Sequence, residues 1–442
     1  MVKHSFVPLA MAAFLVSAST AAAQAFPDGP GKEILEKKCS TCHAPEQVTT
    51  FGRSAEEWHE VVVNMIDLGA EVNEEESKVL VEYLTKHWPM KGAKPEGDKP
   101  AEDKPAEKPA EKPAENPAPP APQTAPAAIA PAASHGPSVT IREWDVPTPK
   151  SRPHDPLAAA DGTIWYTGQM VNVLGRLDPK TGQIKEFALK TPASGPHGLT
   201  EDKAGNIWYT GNSKGLIGKL DPKTGTVTEY PMPDPAAKDP HSLDFDQNGT
   251  LWFTVQGANM VGRLNPSTGE LALRKSPTTK SLPYGIEVNS KGVPFFVEFG
   301  ANKVASIDPS TMIIREWTLP DAASRPRRLA IDAQDAVWYS DYARGFIGKL
   351  DPVTSQVKEW ASPGGTASQP YGIAVIDGKI WYSESGVQPN TIVMFDPATE
   401  KFQSWPIPSG GGVVRNVSVT KDGNLALALS GVNKIGLVEI RK

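Results

Sequence analysis

From residue 137 onward, apolar residues fall in short runs bounded by Gly, Pro and Asp, with no helical spacing between the runs. The runs recur. "SRPHDPLAAADGTIWYTG" (151–168) aligns with "SGPHGLTEDKAGNIWYTG" (194–211), "KDPHSLDFDQNGTLWFTV" (238–255) and "SLPYGIEVNSKGVPFFVE" (281–298). "SRPRRLAIDAQDAVWYSD" (324–341), "SQPYGIAVIDGKIWYSE" (368–384) and a degenerate "GVVRNVSVTKDGNLALAL" (412–429) complete seven copies at a spacing of 43–44 residues. Each unit predicts four strands: one after the Pro, one holding the aromatic pair, one ending in K/R-L-D-P, and one after a D-P-x-T-G turn. This is the repeat length of a propeller blade, so 137–442 is expected to form an all-β, seven-bladed β-propeller with four-stranded blades. A (β/α)8 barrel is excluded, because no helical pattern separates the strands.

Ring closure is also written in the pattern. The last copy stops at "KIGLVEIRK" without a fourth strand, and an orphan "VTIREWDVP" (139–147) precedes the first copy. That orphan matches fourth strands such as "IIREWTLP" (313–320), so it should complete blade seven and remove the open edge.

Upstream the pattern changes to helices over 27–91, in "GKEILEKKCSTCH", "SAEEWHEVVVNMIDLGA" and "NEEESKVLVEYLTKHW". Ser54 with Glu57, and Asn73 with Glu76, form capping-box patterns at two helix starts. Val79, Leu80, Val81, Tyr83 and Leu84 give the last helix a buried face. Residues 92–136, rich in Pro, Ala, Lys and Glu, have no hydrophobic period. They predict a semi-rigid spacer that could reach roughly 100 Å at about 3.1 Å per residue. Residues 1–25 carry a basic start, an apolar run from about Phe6 to Val16 and small residues ending in "AAAQA". That is the form of a secretory signal peptide, too short to span a bilayer, and it predicts an exported, periplasmic protein with no transmembrane segment after cleavage.

Composition adds little until the cysteines are counted. Lys and Arg number 45 against 51 Asp and Glu, which excludes a basic nucleic-acid surface. The chain has two cysteines, both in "KKCSTCHAP". A disulfide across two residues would staple nothing distant, and a structural zinc site needs four ligands. The C-x-x-C-H order predicts one covalent haem c, with Cys39 and Cys42 as thioether anchors and His43 as an iron ligand. About 65 residues is little for an unaided core, and a haem would supply apolar interior. The segment resembles short bacterial class I c-type cytochromes, a small all-α domain in which the distal Met precedes the last helix. That resemblance favours Met65 as sixth ligand over Met90, the alternative for Met65 being a packed core methionine. His59 and His87 are expected on helix surfaces.

The propeller carries its own candidates. The residue after each blade-opening proline starts the innermost strand near the axis: His154, His197, His241, Tyr284, Arg327, Tyr371 and, in the last blade, Arg415. A second layer, three residues after each Trp-like position, contains Glu298, Asp341 and Glu384. Imidazoles and carboxylates could together hold a divalent metal such as Mg2+ or a polar ligand, while the arginines suit an anion.

The repeats "GPHGLT…GNIWYTG…IGKLDPKTG…TEYPMP" resemble the virginiamycin B lyase-like (streptogramin B lyase) propellers over 139–442. The resemblance implies a Mg2+-assisted elimination that opens a cyclic depsipeptide. It uses a ring His of one blade, a Glu two residues before the ring His of the next, that second His, and a Glu just after its aromatic pair. No register of this chain supplies the four. With His154 and His197, Gly195 replaces the first Glu and Gly211 and Asn212 follow the aromatic pair. With His197 and His241, Asp239 could substitute, but Val255 and Gln256 stand at the later position. With His241 first, Glu298 matches, but Leu282 and Tyr284 replace the others.

Two functions are therefore expected to compete. One is periplasmic electron transfer by the haem, with the propeller binding a redox partner or a small polar or anionic ligand. The other is a carbon–oxygen lyase, or a small-molecule oxidoreductase, acting in the propeller funnel with His154, His197, His241 and Glu298 as catalytic candidates. Protein made in a host with haem-maturation machinery should keep its haem through acid-acetone extraction and denaturing electrophoresis, and Cys39→Ala with Cys42→Ala should abolish this. Mature protein free of covalent haem would refute the cytochrome assignment.

Overall fold

A computed structural model describes residues 26–39, the helical positions Ala55, Trp58, His59, Val61, Val62 and Met65, and residues 72–89 and 137–441. The signal-peptide, linker, Cys42, His43 and Met90 assignments lie outside the described residues, as does the Ser54 cap. The chain forms two units, 1–126 and 127–442. Among the described residues no helix is long and apolar enough to cross a membrane.

In the first unit, a helical turn at Lys32–Ile34 continues as a wider π-type turn through Leu35–Cys39, and a longer helix spans Glu74–His87. Asn73 accepts the Glu76 amide at 2.9 Å, and the Glu76 carboxylate accepts the Asn73 amide at 3.0 Å, so the expected capping box is present. Leu35, Trp58, Val62, Leu80, Tyr83 and Leu84 form the core. Gly31 lets Tyr83 lie directly on the first turn, because a side chain there would collide with the ring. Tyr83 also donates to the Pro27 carbonyl at 2.5 Å, and Lys38 pairs with Glu76 at 2.7 Å. The first turn and the longer helix are thus tied together at both Pro27 and Lys38.

The second unit is a seven-bladed propeller of four-stranded antiparallel sheets. Blades one to six run in sequence from innermost to outermost strand, opening at Pro153, Pro196, Pro240, Pro283, Pro326 and Pro370. Blade seven takes Val414–Val419, Leu425–Leu429 and Lys434–Arg441 from the end of the chain, and Ser138–Asp145 from its beginning as outermost strand. The closing register runs unbroken from Ser138 opposite Arg441 to Asp145 opposite Lys434. Val139 and Ile141 pack onto the core shared by blades six and seven.

The repeat motifs have local causes. In "VLGRL" the third residue must be glycine, since the ring of Tyr166 fills the space where a Gly175 side chain would stand. In "DKAGNIW" the aspartate is a turn anchor: Asp202 accepts the Asn206 amide at 2.9 Å and the Trp208 indole N–H at 2.8 Å. Both features recur along the ring, which is why the sequence repeats so visibly.

Deleting 139–147 should expose the edge of Lys434–Arg441 and strip apolar cover from the blade-seven core. The propeller should then aggregate, or melt lower by roughly 10 °C or more. Unchanged melting, followed by tryptophan fluorescence, would mean that another strand closes the ring.

Candidate functional site

The axis is built from a defect repeated in every blade. The innermost strand shifts register immediately after its first residue, in all seven sheets. In blade one, Pro153 faces Gly168 and Pro156 faces Tyr166, so His154 and Asp155 together oppose the single residue Thr167. This is a β-bulge, and it leaves one amide without a ladder partner. The hydroxyl opposite supplies one: Thr167 Oγ1 accepts the Asp155 amide at 3.0 Å and donates to the His197 carbonyl of the next blade at 3.0 Å. Thr210, Thr254, Ser340 and Ser383 make the same double contact in blades two, three, five and six. Blades four and seven carry Val297 and Ala428 there, and Ser430 instead joins blade seven to the Pro153 carbonyl of blade one at 2.6 Å.

These bulges bring the ring candidates together. His154, His197, His241 and Tyr284 overlap pairwise, with ring centroids 3.7, 3.9 and 3.8 Å apart. The Tyr284 and Tyr371 hydroxyls meet at 2.5 Å across the axis. The guanidinium of Arg327 sits in an aromatic cage, 4.1 Å from the ring centre of Tyr342, 4.4 Å from Phe299 and 4.5 Å from Tyr371. All seven ring side chains are buried. The mouth expected from the sequence is a packed layer.

Burial, then the positive charge of Arg415, Arg152 and Arg328, holds the His154 pKa well below its ordinary value. His197 and His241 are lowered in the same way, so all three imidazoles are neutral at pH 7. Burial raises the Tyr371 hydroxyl, but Arg327, Arg415, Arg328 and the Tyr284 hydrogen bond outweigh it and lower its pKa.

A second axial layer was missed by the sequence reading. Each bulge presents two residues, and the second of each pair includes Asp155, Ser242, Arg328 and Asn416. Arg328 Nη2 contacts both carboxylate oxygens of Asp155, at 2.8 and 3.1 Å, linking blade five to blade one across the axis. Its Nη1 donates to Ser242 Oγ at 2.9 Å, and Asn416 Nδ2 donates to Asp155 Oδ2 at 3.1 Å. Together these groups plug the channel. The signal was present in the sequence as charges at a place held by glycine in Gly198, Gly285 and Gly372.

The carboxylates expected over the axis turn elsewhere. Glu298 bonds Ser276 at the end of blade three, and burial raises its pKa. Asp341 accepts Arg344 Nε at 2.6 Å and the Arg325 amide at 2.9 Å. Glu384 accepts Ser362 Oγ and the Gly364 amide at 2.7 Å, and Thr391 Oγ1 at 2.6 Å. All three therefore serve the seams and loops around the ring. The reason is register: the axis-side place on that strand belongs to the residue one earlier, Val297, Ser340 or Ser383. Asp239 likewise accepts the Gly257 amide of its own blade's loop.

His154, Asp155 and His197 place potential ligand atoms within 4.8 Å of one another. Asp155, however, already accepts from Arg328, Asn416 and the His154 side. Mg2+ asks for oxygen ligands, and here it would meet imidazoles among arginines. The axial donors do not fit Mg2+.

The haem candidates sit differently. Met65 is half-buried and packs on the core with Val62 and Trp58, three and seven residues before it on the helical segment. Its thioether therefore belongs to the apolar side of the unit. His59 is exposed, and His87 lies half-buried against Tyr83 at 4.7 Å. The two thiols and the imidazole of the C-x-x-C-H run, with a methionine thioether, are the donor chemistry of haem c.

The virginiamycin B lyase family matches residues 128–388. Among solved structures, a streptogramin B lyase is 28% identical with a TM-score of 0.63, covering 69% of this chain and 98% of its own. Virginiamycin B lyase from Staphylococcus aureus is 24% identical with a TM-score of 0.62, over 68% and 99%. Hydrazine synthase from Kuenenia stuttgartiensis, 15% identical with a TM-score of 0.54 over 67% and 97%, shares the fold alone. No curated relative matches the chain.

Arg328→Met should strand the buried Asp155 carboxylate and cost about 3–5 kcal/mol of stability. Adding Asp155→Leu should return much of that loss, because the pair is removed whole. Urea unfolding of both variants checks this, and equal losses in the single and double variants would show that the plug is not held by this pair.

Proposed function

The chain belongs to the virginiamycin B lyase family, and from that premise we propose an exported c-type haem electron-transfer protein that has kept the lyase propeller without the lyase chemistry. The observation that carries the reading is the pairing of the chain's two cysteines with His43 in one C-x-x-C-H run. A covalently held haem supplies reversible one-electron carriage. Cys39 and Cys42 would hold it and His43 and Met65 would ligate it, and Met65 already packs on the apolar core of Leu35, Trp58, Leu80 and Leu84. The export signal supports a periplasmic location, where such attachment occurs.

The propeller serves as the recognition part, for a redox partner or a small polar or anionic ligand. Two facts argue against elimination. Gly195 and Leu282 stand where the family's first Glu is needed, and Asp239, the one acidic substitute, is committed to a loop amide. Without that carboxylate an enolate would form without its main electrostatic support. The family match and the axial histidines favour a second reading, a lyase or small-molecule oxidoreductase.

Anaerobic spectroscopy of the purified protein separates these. Periplasmic extract should reduce the haem. Met65→Ala should lower the reduction potential and remove the thioether–iron charge-transfer band of the oxidised form, whereas Met90→Ala should do neither. Streptogramin B incubated with Mg2+ should stay closed. Rapid ring opening that survives loss of the haem would restore the lyase.

A further inference from the structure

Beyond the plug the channel opens again. Strands rise about 3.3 Å per residue, so side chains two and three residues past the bulge line a well toward the opposite face of the ring. Its volume is about 180 Å³, and it is bounded by Arg328 and Asn416 of the plug and by Thr200, Asp244, Glu287 and Ser418. An apolar cavity of ~150 Å³ accepts a benzene-sized molecule, so this polar one has room for a small metabolite.

The wall is divided by charge. Asp244 reaches from blade three to accept the Val288 amide of blade four at 2.9 Å, which sets its carboxylate beside Glu287. Its other hydrogen bond comes from the Phe245 amide, so no side-chain cation neutralises it. Glu287 is exposed to the well and takes part in no hydrogen bond among the described residues. Burial pushes Asp244 up to about 6, and burial followed by the Asp244 charge raises Glu287 well above its ordinary value. Glu287 keeps accessible surface along the well yet is surrounded by protein, which hydrates a carboxylate poorly. At the plug end Asp155 also lines the well, but both its carboxylate oxygens are taken by Arg328 and Asn416, and donors remain beside it. Arg328 is 95% buried by its 5% exposure, and its Nε–H has no acceptor although both Nη groups are bound. Asn416 spends one amide N–H on Asp155 and keeps the second.

We propose that the well binds a small zwitterion of the α-amino-acid class, its ammonium group on Asp244 and Glu287 and its carboxylate on Arg328 Nε–H and the Asn416 amide. Each half of the ligand answers groups that the wall leaves unmet: the two carboxylates at one end, and at the other the Arg328 Nε–H and the second Asn416 N–H, although the Arg328 charge itself is paired with Asp155. A lone cation would leave the guanidinium N–H unmet and sit near a fixed positive charge. A lone anion would face two carboxylates. Side chains larger than that of serine would meet Leu243 and Ile286, which line the well between the charged groups.

Isothermal titration of the full-length haem protein with glycine, L-alanine and L-serine tests this. At least one should bind, and methylammonium or acetate, each carrying half the charge pair, should bind more weakly by about tenfold or more. Glu287→Gln, at an exposed position, should weaken the amino acid by about tenfold while leaving the melting temperature unchanged. Asp244→Asn should do the same, with its melting curve reporting any cost from the lost Val288 contact. Three results would each overturn the proposal: no heat with any of the amino acids, undiminished binding by Glu287→Gln, or Glu287-dependent binding of calcium without binding of the amino acids.

Discussion

Everything on the axis depends on one hydroxyl set opposite two residues. A regular innermost strand would turn only alternate side chains toward the axis, and each blade would meet the next through apolar contact alone. The bulge turns two consecutive residues inward, and Thr167 and its equivalents satisfy the amide that the bulge strands. The same oxygen then donates to the next blade's carbonyl. The bulge gives the double layer of side chains in all seven blades, and in five of them this exchange also ties the blade to its neighbour. A net contribution of about 1 kcal/mol for each such bond is modest. Their repetition around a closed ring lets neighbouring blades share one register.

The two axial layers divide the labour between shape and charge. The outer layer is aromatic and imidazole, packed at ring-contact distances, with Arg327 held by ring faces. The inner layer is ionic, and Arg328–Asp155 bridges the ring at 2.8 Å. Such a bridge adds little to stability compared with an apolar filling, but it is costly to half-remove. A lyase needs an open, acidic, metal-holding mouth at this place. Here the family's fold carries a closed and cationic one, with its nearby carboxylates spent on seams and loops. A shared propeller whose axis is filled in this way is consistent with fold and function being separately inherited.

The sequence revealed what repetition makes visible. Seven copies in phase exposed the blades, and "REW" at both 142–144 and 315–317 exposed the closure, because the same outer-strand contacts select the same residues. The ring histidines were legible for the same reason. Asp155 and Arg328 were not, since a bulge breaks the alternation by which inward-facing residues are counted. Glu298, Asp341 and Glu384 were assigned to the axis by distance along the strand from a tryptophan. Their neighbours Val297, Ser340 and Ser383 hold that place, which only the register discloses. In the helical unit the Asn73 cap was readable from four residues. The seating of Tyr83 on Gly31, a contact between distant segments, was not.

The closing strand has a bearing on how the protein is made. Ser138–Asp145 is synthesised before any other part of the propeller, yet its only sheet partner, Lys434–Arg441, is the last to appear. At about 5–20 residues per second the strand waits on the order of tens of seconds with its backbone unpaired. Its apolar face, Val139 and Ile141, is uncovered for the same interval. The stretch immediately upstream, 117–137, is rich in proline and alanine, and proline disfavours strand pairing. Proline-rich sequence beside a nascent edge guards it against mispairing for the interval before the ring closes.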